Sequence, residues 1–321
     1  MPDIKKLNFR PLPGLSSKYL QMILSAYSWR GKEPLSQTQF VDLGNGDSAA
    51  CEISTPPSWN QTDQTIAMIH GLGGSHRSTY LVRIARKLYN KGYKVVRINL
   101  RGCGSGKGKS KLPYSAGNSN DVLTVIQALK KQDPLSDITL IGFSLGGNIV
   151  LKLAGEIGGE AKKLLKTIIA ICPSIDLAHS TGLIQERRHR LFHRYYLNKI
   201  LEQDALLKAK NIQSIYELDE LITGPAWGFK GADEYYQKCS SKPLLANIQQ
   251  ETHILFAEDD PFVSMDVLKN LPISDHVHLW STKHGGHMGF IGFTNSYSLN
   301  WLDQLLIHWI EGDFTSELEK G

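Results

Sequence analysis

Long hydrophobic runs are missing from this sequence: nowhere do about eighteen apolar residues follow one another, the least a helix needs to cross a bilayer. The first thirty residues, MPDIKKLNFRPLPGLSSKYLQMILSAYSWR, also lack the unbroken apolar core of a secretory signal. A cytoplasmic protein without a membrane span is the expectation. Cysteine is scarce, and Cys51, Cys103, Cys172 and Cys239 lie far apart with no C-x-x-C pair. That excludes a disulfide framework or zinc ribbon and leaves reduced, mostly buried thiols. Neither charge sign dominates, with 36 basic against 31 acidic residues and a formal charge of +5. So small an excess implies no nucleic acid unless it gathers into a patch. Histidines 70, 76, 179, 253, 276 and 278 form no H-x-x-x-H spacing, so no catalytic zinc or iron is expected and no cofactor is called for. There is no internal repeat, heptad or low-complexity tract, and the tail EGDFTSELEKG reads as a frayed end or last helical turn.

What is present is an ordinary globular composition, 41% hydrophobic over 321 residues, enough for a sizeable core. Short β-branched runs bounded by turn residues fall at 65–71, 94–102, 138–144, 167–174, 253–260 and 276–282. Helical patterns lie between and after them, at about 78–91, 118–132, 145–158, 264–271 and 296–311. This alternation predicts βαβ units: an α/β protein with a mostly parallel twisted sheet flanked by helices. Upstream, QFVDLGNGDSAACEIST predicts an antiparallel hairpin turning at Gly44-Asn45-Gly46-Asp47, at the sheet edge.

One connection breaks the rhythm. Roughly eighty residues separate the strand ending at Cys172 from that starting at His253, and so long an excursion is usually functional. Its sequence places Ile184, Leu191, Phe192, Tyr195, Leu197, Ile200 and Leu201 on a broad apolar stripe of a helix. This predicts a helical cap, inserted at 174–251, over the carboxyl edge of the sheet, where open α/β sheets bind ligands.

In LIGFSLGGN, residues 140–148, Ser144 lies between Gly142 and Gly146. That spacing is a nucleophile elbow, a strained strand-to-helix turn whose glycines avoid collisions between neighbouring backbones. A serine hydroxyl needs a histidine to take its proton and a carboxylate to orient that histidine. In this architecture the chain order is serine, acid, histidine. FAEDDPFV supplies Asp259 and Asp260 just beyond one strand, and TKHGGHMGFIG supplies His284 and His287 beyond the next. Asp260, just before Pro261-Phe262-Val263, is the preferred acid with Asp259 in reserve; His287, after Gly285-Gly286, is preferred over His284. The oxyanion needs two backbone N–H groups: Leu145 after the serine, and Leu72 in the flexible His70-Gly71-Leu72-Gly73-Gly74 loop.

These segments, together with GLSSKYLQMIL, HGLGGS, RINLRGCGSG, GFSLGGNIVLK, DEYYQKCSSKPLLANI, AEDDPF and GGHMGFIG, resemble the YheT-like α/β-hydrolases, bacterial relatives of animal abhydrolase-domain proteins and yeast ester-forming acyltransferases. The resemblance implies one α/β-hydrolase domain over 1–321 and an esterase-type serine hydrolase with Ser144, Asp260 and His287 in its triad. This sequence departs from the family at Tyr114-Ser115-Ala116-Gly117, where relatives carry Tyr-His-Ser-Gly, and at Gln250-Glu251-Thr252, where they carry Ile-Pro-Thr. The expected reaction is cofactor-free hydrolysis of a short- to medium-chain carboxylic ester, small-molecule or lipid. The alternatives are acyl transfer to an alcohol, and a catalytically silent binding protein on the same scaffold.

Two basic features remain. GCGSGKGKS, residues 102–110, ends like a P-loop, but Cys103 stands where the first glycine belongs. Its Arg101, Lys107, Lys109 and Lys111 read as solvated charge, or as attraction for an anionic head group. The cluster Arg187, Arg188, His189, Arg190, His193 and Arg194 reads as the wet face of a cap helix, with peripheral contact to an anionic membrane as the alternative.

Overall fold

Strands short enough to be buried on both faces, joined by amphipathic helices, build the centre of the molecule. The computed structural model describes residues 2–27, 31–203, 211–294 and 299–314. The end of the expected 183–210 helical stretch, the start of the expected 296–311 helix and most of the tail lie outside the described residues. In chain order the main elements are β1 (Ile4–Lys6), α1 (Lys18–Tyr27), β2 (Gln37–Gly44), β3 (Asp47–Ser54), β4 (Thr65–Ile69), α2 (Thr79–Asn90), β5 (Lys94–Ile98), α3 (Ser119–Gln132), β6 (Ile138–Phe143), α4 (Leu145–Ile157), β7 (Thr167–Ile171), α5 (Leu177–Gln185), α6 (Arg190–Leu201), α7 (Ala232–Cys239), β8 (Thr252–Ala257), β9 (Val277–Thr282) and α8 (Trp301–Ile310).

The strands form one sheet of nine in the order β1-β9-β8-β7-β6-β4-β5-β3-β2. Pairing is parallel from β1 through β5, and antiparallel where β3 meets β5 and β2 meets β3. The β2–β3 hairpin turns through Asn45 and Gly46 at φ 56° and 80°, the left-handed pair that a tight hairpin turn requires.

Side chains alternate across each strand, so every strand feeds two cores. From β4, Ile66 and Met68 pack with Leu81, Ile84 and Leu88 of α2 and Leu305 and Trp309 of α8. Ala67 and Ile69 turn the other way, onto Val122 and Ile126 of α3 and Ile149 and Leu153 of α4. Each of the larger of these side chains, the Ile, Leu, Val and Met, contributes roughly 1.5–3 kcal/mol on leaving water, which fixes the sheet as the frame on which loops are held.

Two expectations are corrected. The expected helix over 264–271 is a single 3-10 turn, Met265–Leu268. Pro272 biases Leu271 out of the helical region, and Asn270 turns left-handed at φ 57°. The expected apolar stripe on the excursion also breaks. A bend at Glu186, ψ 144°, separates α5 from α6 and resets the helical phase. Leu197 and Ile200 point inward, whereas Leu191 is 75% and Tyr195 48% exposed.

Candidate active site

The loops after β4, β6, β8 and β9 converge at one end of the sheet. After β6 the chain turns at Ser144 with φ 53° and ψ −114°, a conformation that costs a non-glycine residue about 1–3 kcal/mol. The flanking glycines allow it: a Cβ on Gly142 would lie 2.3 Å from the Gly146 carbonyl oxygen, and one on Gly146 would lie 2.6 Å from that of His70. Ser144 N–H donates to the Ile171 carbonyl (2.9 Å), and Asn148 N–H closes the first turn of α4 on the Ser144 carbonyl (3.1 Å). The hydroxyl therefore stands at the positive end of the α4 dipole.

His287 Nε2 lies 2.8 Å from Ser144 Oγ, and its Nδ1 lies 2.8 Å from Asp260 Oδ2. The other carboxylate oxygen, Oδ1, accepts from Phe262 N–H (2.8 Å) and Val263 N–H (3.0 Å), so the Pro261-Phe262-Val263 turn locks the acid's orientation. Phe262 also presents its edge to His287, with ring centroids 5.5 Å apart. Asp259 and His284 stand apart from this chain of contacts. Asp259 Oδ1 accepts Gly286 N–H at 2.8 Å and Oδ2 faces His284 Nδ1 at 3.7 Å, tying the histidine loop to the acid loop. Burial raises the Asp259 carboxyl above its ordinary range.

The glycine-rich loop is held by two side chains, buried His70 and half-buried Tyr80. His70 Nδ1 bonds the Gly71 carbonyl at 2.8 Å and Leu100 N–H donates to its Nε2 at 3.2 Å. Burial drives its pKa down to about 4, so the ring works as a neutral brace. Gly71 N–H donates to the Tyr80 hydroxyl at 2.9 Å. A Cβ at Gly71 would stand 3.1 Å from the Ser144 Cβ, which shows how closely this loop passes the elbow. Leu72 and Leu145 border the same cavity as Ser144 and His287. Among the described residues, neither of their amide hydrogens has an acceptor.

That cavity holds about 980 Å³. Its wall is mostly apolar, with Leu177 and Ile184 of α5 and Tyr196 and Ile200 of α6 facing Leu72 and Leu145. A polar strip interrupts it: Asp219, which begins a π-helical turn, accepts from the Tyr236 hydroxyl at 2.8 Å. Burial pushes its carboxyl up to about 6. In the basic loop Lys107, Lys109 and Lys111 are exposed as expected, and Arg101 alone is not. Arg101 is 8% exposed, forked onto Asp121 and paired with Asp47, and Lys107 reaches the Glu202 carbonyl. In the other basic cluster, His189 is buried between the Leu183 carbonyl and the Tyr19 hydroxyl, while its arginine neighbours face outward.

Two residues in this neighbourhood carry no motif. Gln21 in α1, fully buried, donates to the carbonyls of Leu15 and Ile291 and accepts Ile291 N–H; Ser25, one turn later, donates to the Met288 carbonyl. They grip the loop that carries His287, whose Met288 and Phe290 are held at φ 65° and 49°. The only trace in the sequence is a pair of polar residues four apart among the apolar residues that follow Lys18 in the helix.

The family described as alpha/beta hydrolase fold matches residues 64–207. YheT of Escherichia coli (strain K12), an esterase candidate by its name, is 27% identical over 316 residues, covering 94% of this chain and 92% of that one. The chain has the α/β-hydrolase fold. The similarity to YheT runs through nearly the whole length of the chain. A monoacylglycerol lipase of Saccharomyces cerevisiae is 27% identical over 79% of this chain and 61% of its own. Among solved structures, Est1E from Butyrivibrio proteoclasticus with ferulic acid bound matches 87% of this chain and 100% of its own at a TM-score of 0.55 and 16% identity. That likeness establishes the fold alone.

Proposed function

We propose that this α/β-hydrolase is a serine esterase that cleaves carboxylic esters through an acyl-enzyme. The unbroken relay of 2.8 Å contacts from Ser144 through His287 to Asp260 carries the reading. His287 Nε2 takes the Ser144 proton as Oγ attacks the ester carbonyl carbon, and Asp260 steadies the imidazolium through Nδ1. The oxyanion collects at the Leu72 and Leu145 amides, each worth roughly 10²- to 10³-fold in rate. His287 then returns the proton to the departing alcohol, and a water, deprotonated by the same nitrogen, releases the acid.

The residues between β7 and β8 act as the cap, over 174–251, and their apolar inner wall accepts the hydrocarbon part of a short- to medium-chain or lipid ester. Names carried by relatives, lipase and phospholipase among them, support the same substrate class.

The test is hydrolysis of p-nitrophenyl esters with two to twelve acyl carbons by the wild type, Ser144→Ala and His287→Ala, matched for folding by circular dichroism. A length-dependent rate that falls by at least about 10³-fold in each variant is expected. No rate at any length, or a product that shifts to a new ester when alcohol is added, would favour a binding or acyl-transfer role.

A further inference from the structure

Helix α1 is built inside out. It buries Gln21 and Ser25 and turns Leu20, Ile23, Leu24 and Tyr27 to the outside, at exposures of 43, 43, 39 and 81%. At about 100° per residue these four share an arc roughly 100° wide, so they form one continuous stripe. The polar side is already engaged with the His287 loop, so no rotation of the helix hides the stripe while keeping those bonds.

Next to it stands α6. Tyr19 stacks on Phe192 with centroids 5.8 Å apart and bonds His189 at 3.0 Å, and Met22 joins the cluster of Leu197, Ile200 and Phe262. The outer side of α6 adds Leu191 and Tyr195, 75% and 48% exposed. Its inner side, through Tyr196 and Ile200, lines the cavity above Ser144. The charge around the exposed apolar groups is one-sided. Glu186 and Glu202 pair with Arg188 and Lys199, and among the described residues Arg187, Arg190 and Arg194 enter no ion pair.

We infer that α1 and α6 together dock the protein on an anionic lipid surface, the exposed stripe entering the headgroup boundary and the arginines meeting lipid phosphates. An apolar stripe flanked by unpaired cations is the pattern that binds such an interface. Burial against a second copy fits less well, since an isologous pairing brings the same arginines towards one another. A basic protein partner fits no better for the same reason. The inference extends the esterase reading, because a helix with one side in the interface and the other on the cavity connects a lipid surface to the site. Its test does not depend on catalysis.

The full chain carrying Ser144→Ala is floated with vesicles of phosphatidylcholine alone and with about 30% phosphatidylglycerol. Two variants are compared, Leu20→Gln/Ile23→Gln/Leu24→Gln/Tyr27→Gln and Arg187→Gln/Arg190→Gln/Arg194→Gln, with sedimentation velocity run on each. Binding to the anionic vesicles is expected, weakened at least tenfold by the first variant and made insensitive to phosphatidylglycerol by the second. With the serine restored, hydrolysis of a water-soluble acetate ester should stay within twofold in both variants. Failure of the wild-type chain to bind either vesicle, or binding that both variants retain, overturns the inference. So does a wild-type dimer that the first variant turns into a monomer. Absence of ester hydrolysis in the wild type would count against the esterase reading and leave the docking result standing.

Discussion

Gly146 and Gly182 show how the same residue type is fixed in one place and free in another. A methyl on Gly146 meets two carbonyl oxygens, those of His70 and Ile69, at 2.6 and 2.7 Å. Neither is the end of a flexible side chain. Gly146→Ala is expected to cost at least about 1–3 kcal/mol of stability and to push the His70-Gly71-Leu72 loop off the elbow. Activity per folded molecule should then fall as well as the melting temperature. Gly182 lies within α5 with nothing near its Cβ position, so Gly182→Ala should stabilise by roughly 0.5–1 kcal/mol. Thermal melts of the two variants check both signs.

His70 gives the residue scale a pH dependence. Its ordinary pKa of 6.5 falls to about 4 because burial disfavours the charged ring. Between those values the unfolded chain binds more protons than the folded one, so stability rises with pH across that window and is complete above it. Acidification from pH 6.5 towards 4 should therefore lower the melting temperature. His70→Gln, which has no titrating ring, should lower the neutral-pH value and flatten that slope. A slope identical to wild type would mean that other groups carry the acid sensitivity.

Among the elements, α2 and α8 are joined by a buried ion pair. Arg83 forks onto Asp303 at 2.8 and 3.0 Å, and Lys87 reaches the same carboxylate at 2.8 Å. Asp303 is fully buried. Asp303→Asn leaves that cationic charge without its counterpart, and removing one partner of such a pair costs roughly 3–5 kcal/mol. Denaturant unfolding should show that loss, while ester hydrolysis by the folded fraction stays near wild type, because none of the three residues borders the cavity above Ser144.

The elements also differ in how plainly the sequence announces them. The buried strands β4 to β9, α2, α3 and α4 stand out because local pattern and tertiary role agree: each apolar face meets the sheet. The order of Ser144, Asp260 and His287 is legible because each follows its own strand. β1 is silent, since three residues, Ile4–Lys6, become a strand only by pairing with β9 some 270 residues away. α1 is worse than silent, because its apolar side is the exposed one and a periodicity rule would bury the wrong half. Gln21 and Ser25 acquire meaning only once the His287 loop is folded against them. Arg101 misleads for a related reason: its carboxylates, Asp47 and Asp121, come from distant parts of the chain.

For the whole molecule, the sheet and the excursion divide the labour. The sheet positions Ser144, Asp260 and His287, and the stretch between β7 and β8 supplies about half of the residues that line the cavity beside them. Ile222, in the π-helical turn Asp219–Thr223, borders the cavity and packs with Ile184, Ile200 and Phe262. It is only half-buried, so a larger side chain there enters the cavity before it strains the core. Ile222→Trp should leave acetate hydrolysis near wild type while lowering kcat/KM for the longest ester accepted. One methylene in an apolar pocket is worth roughly 10- to 200-fold, so the ratio of long- to short-chain rates should drop at least tenfold. If the ratio holds while both rates fall together, this wall contacts the alcohol portion instead, and the acyl chain runs along the Leu72 and Leu145 side.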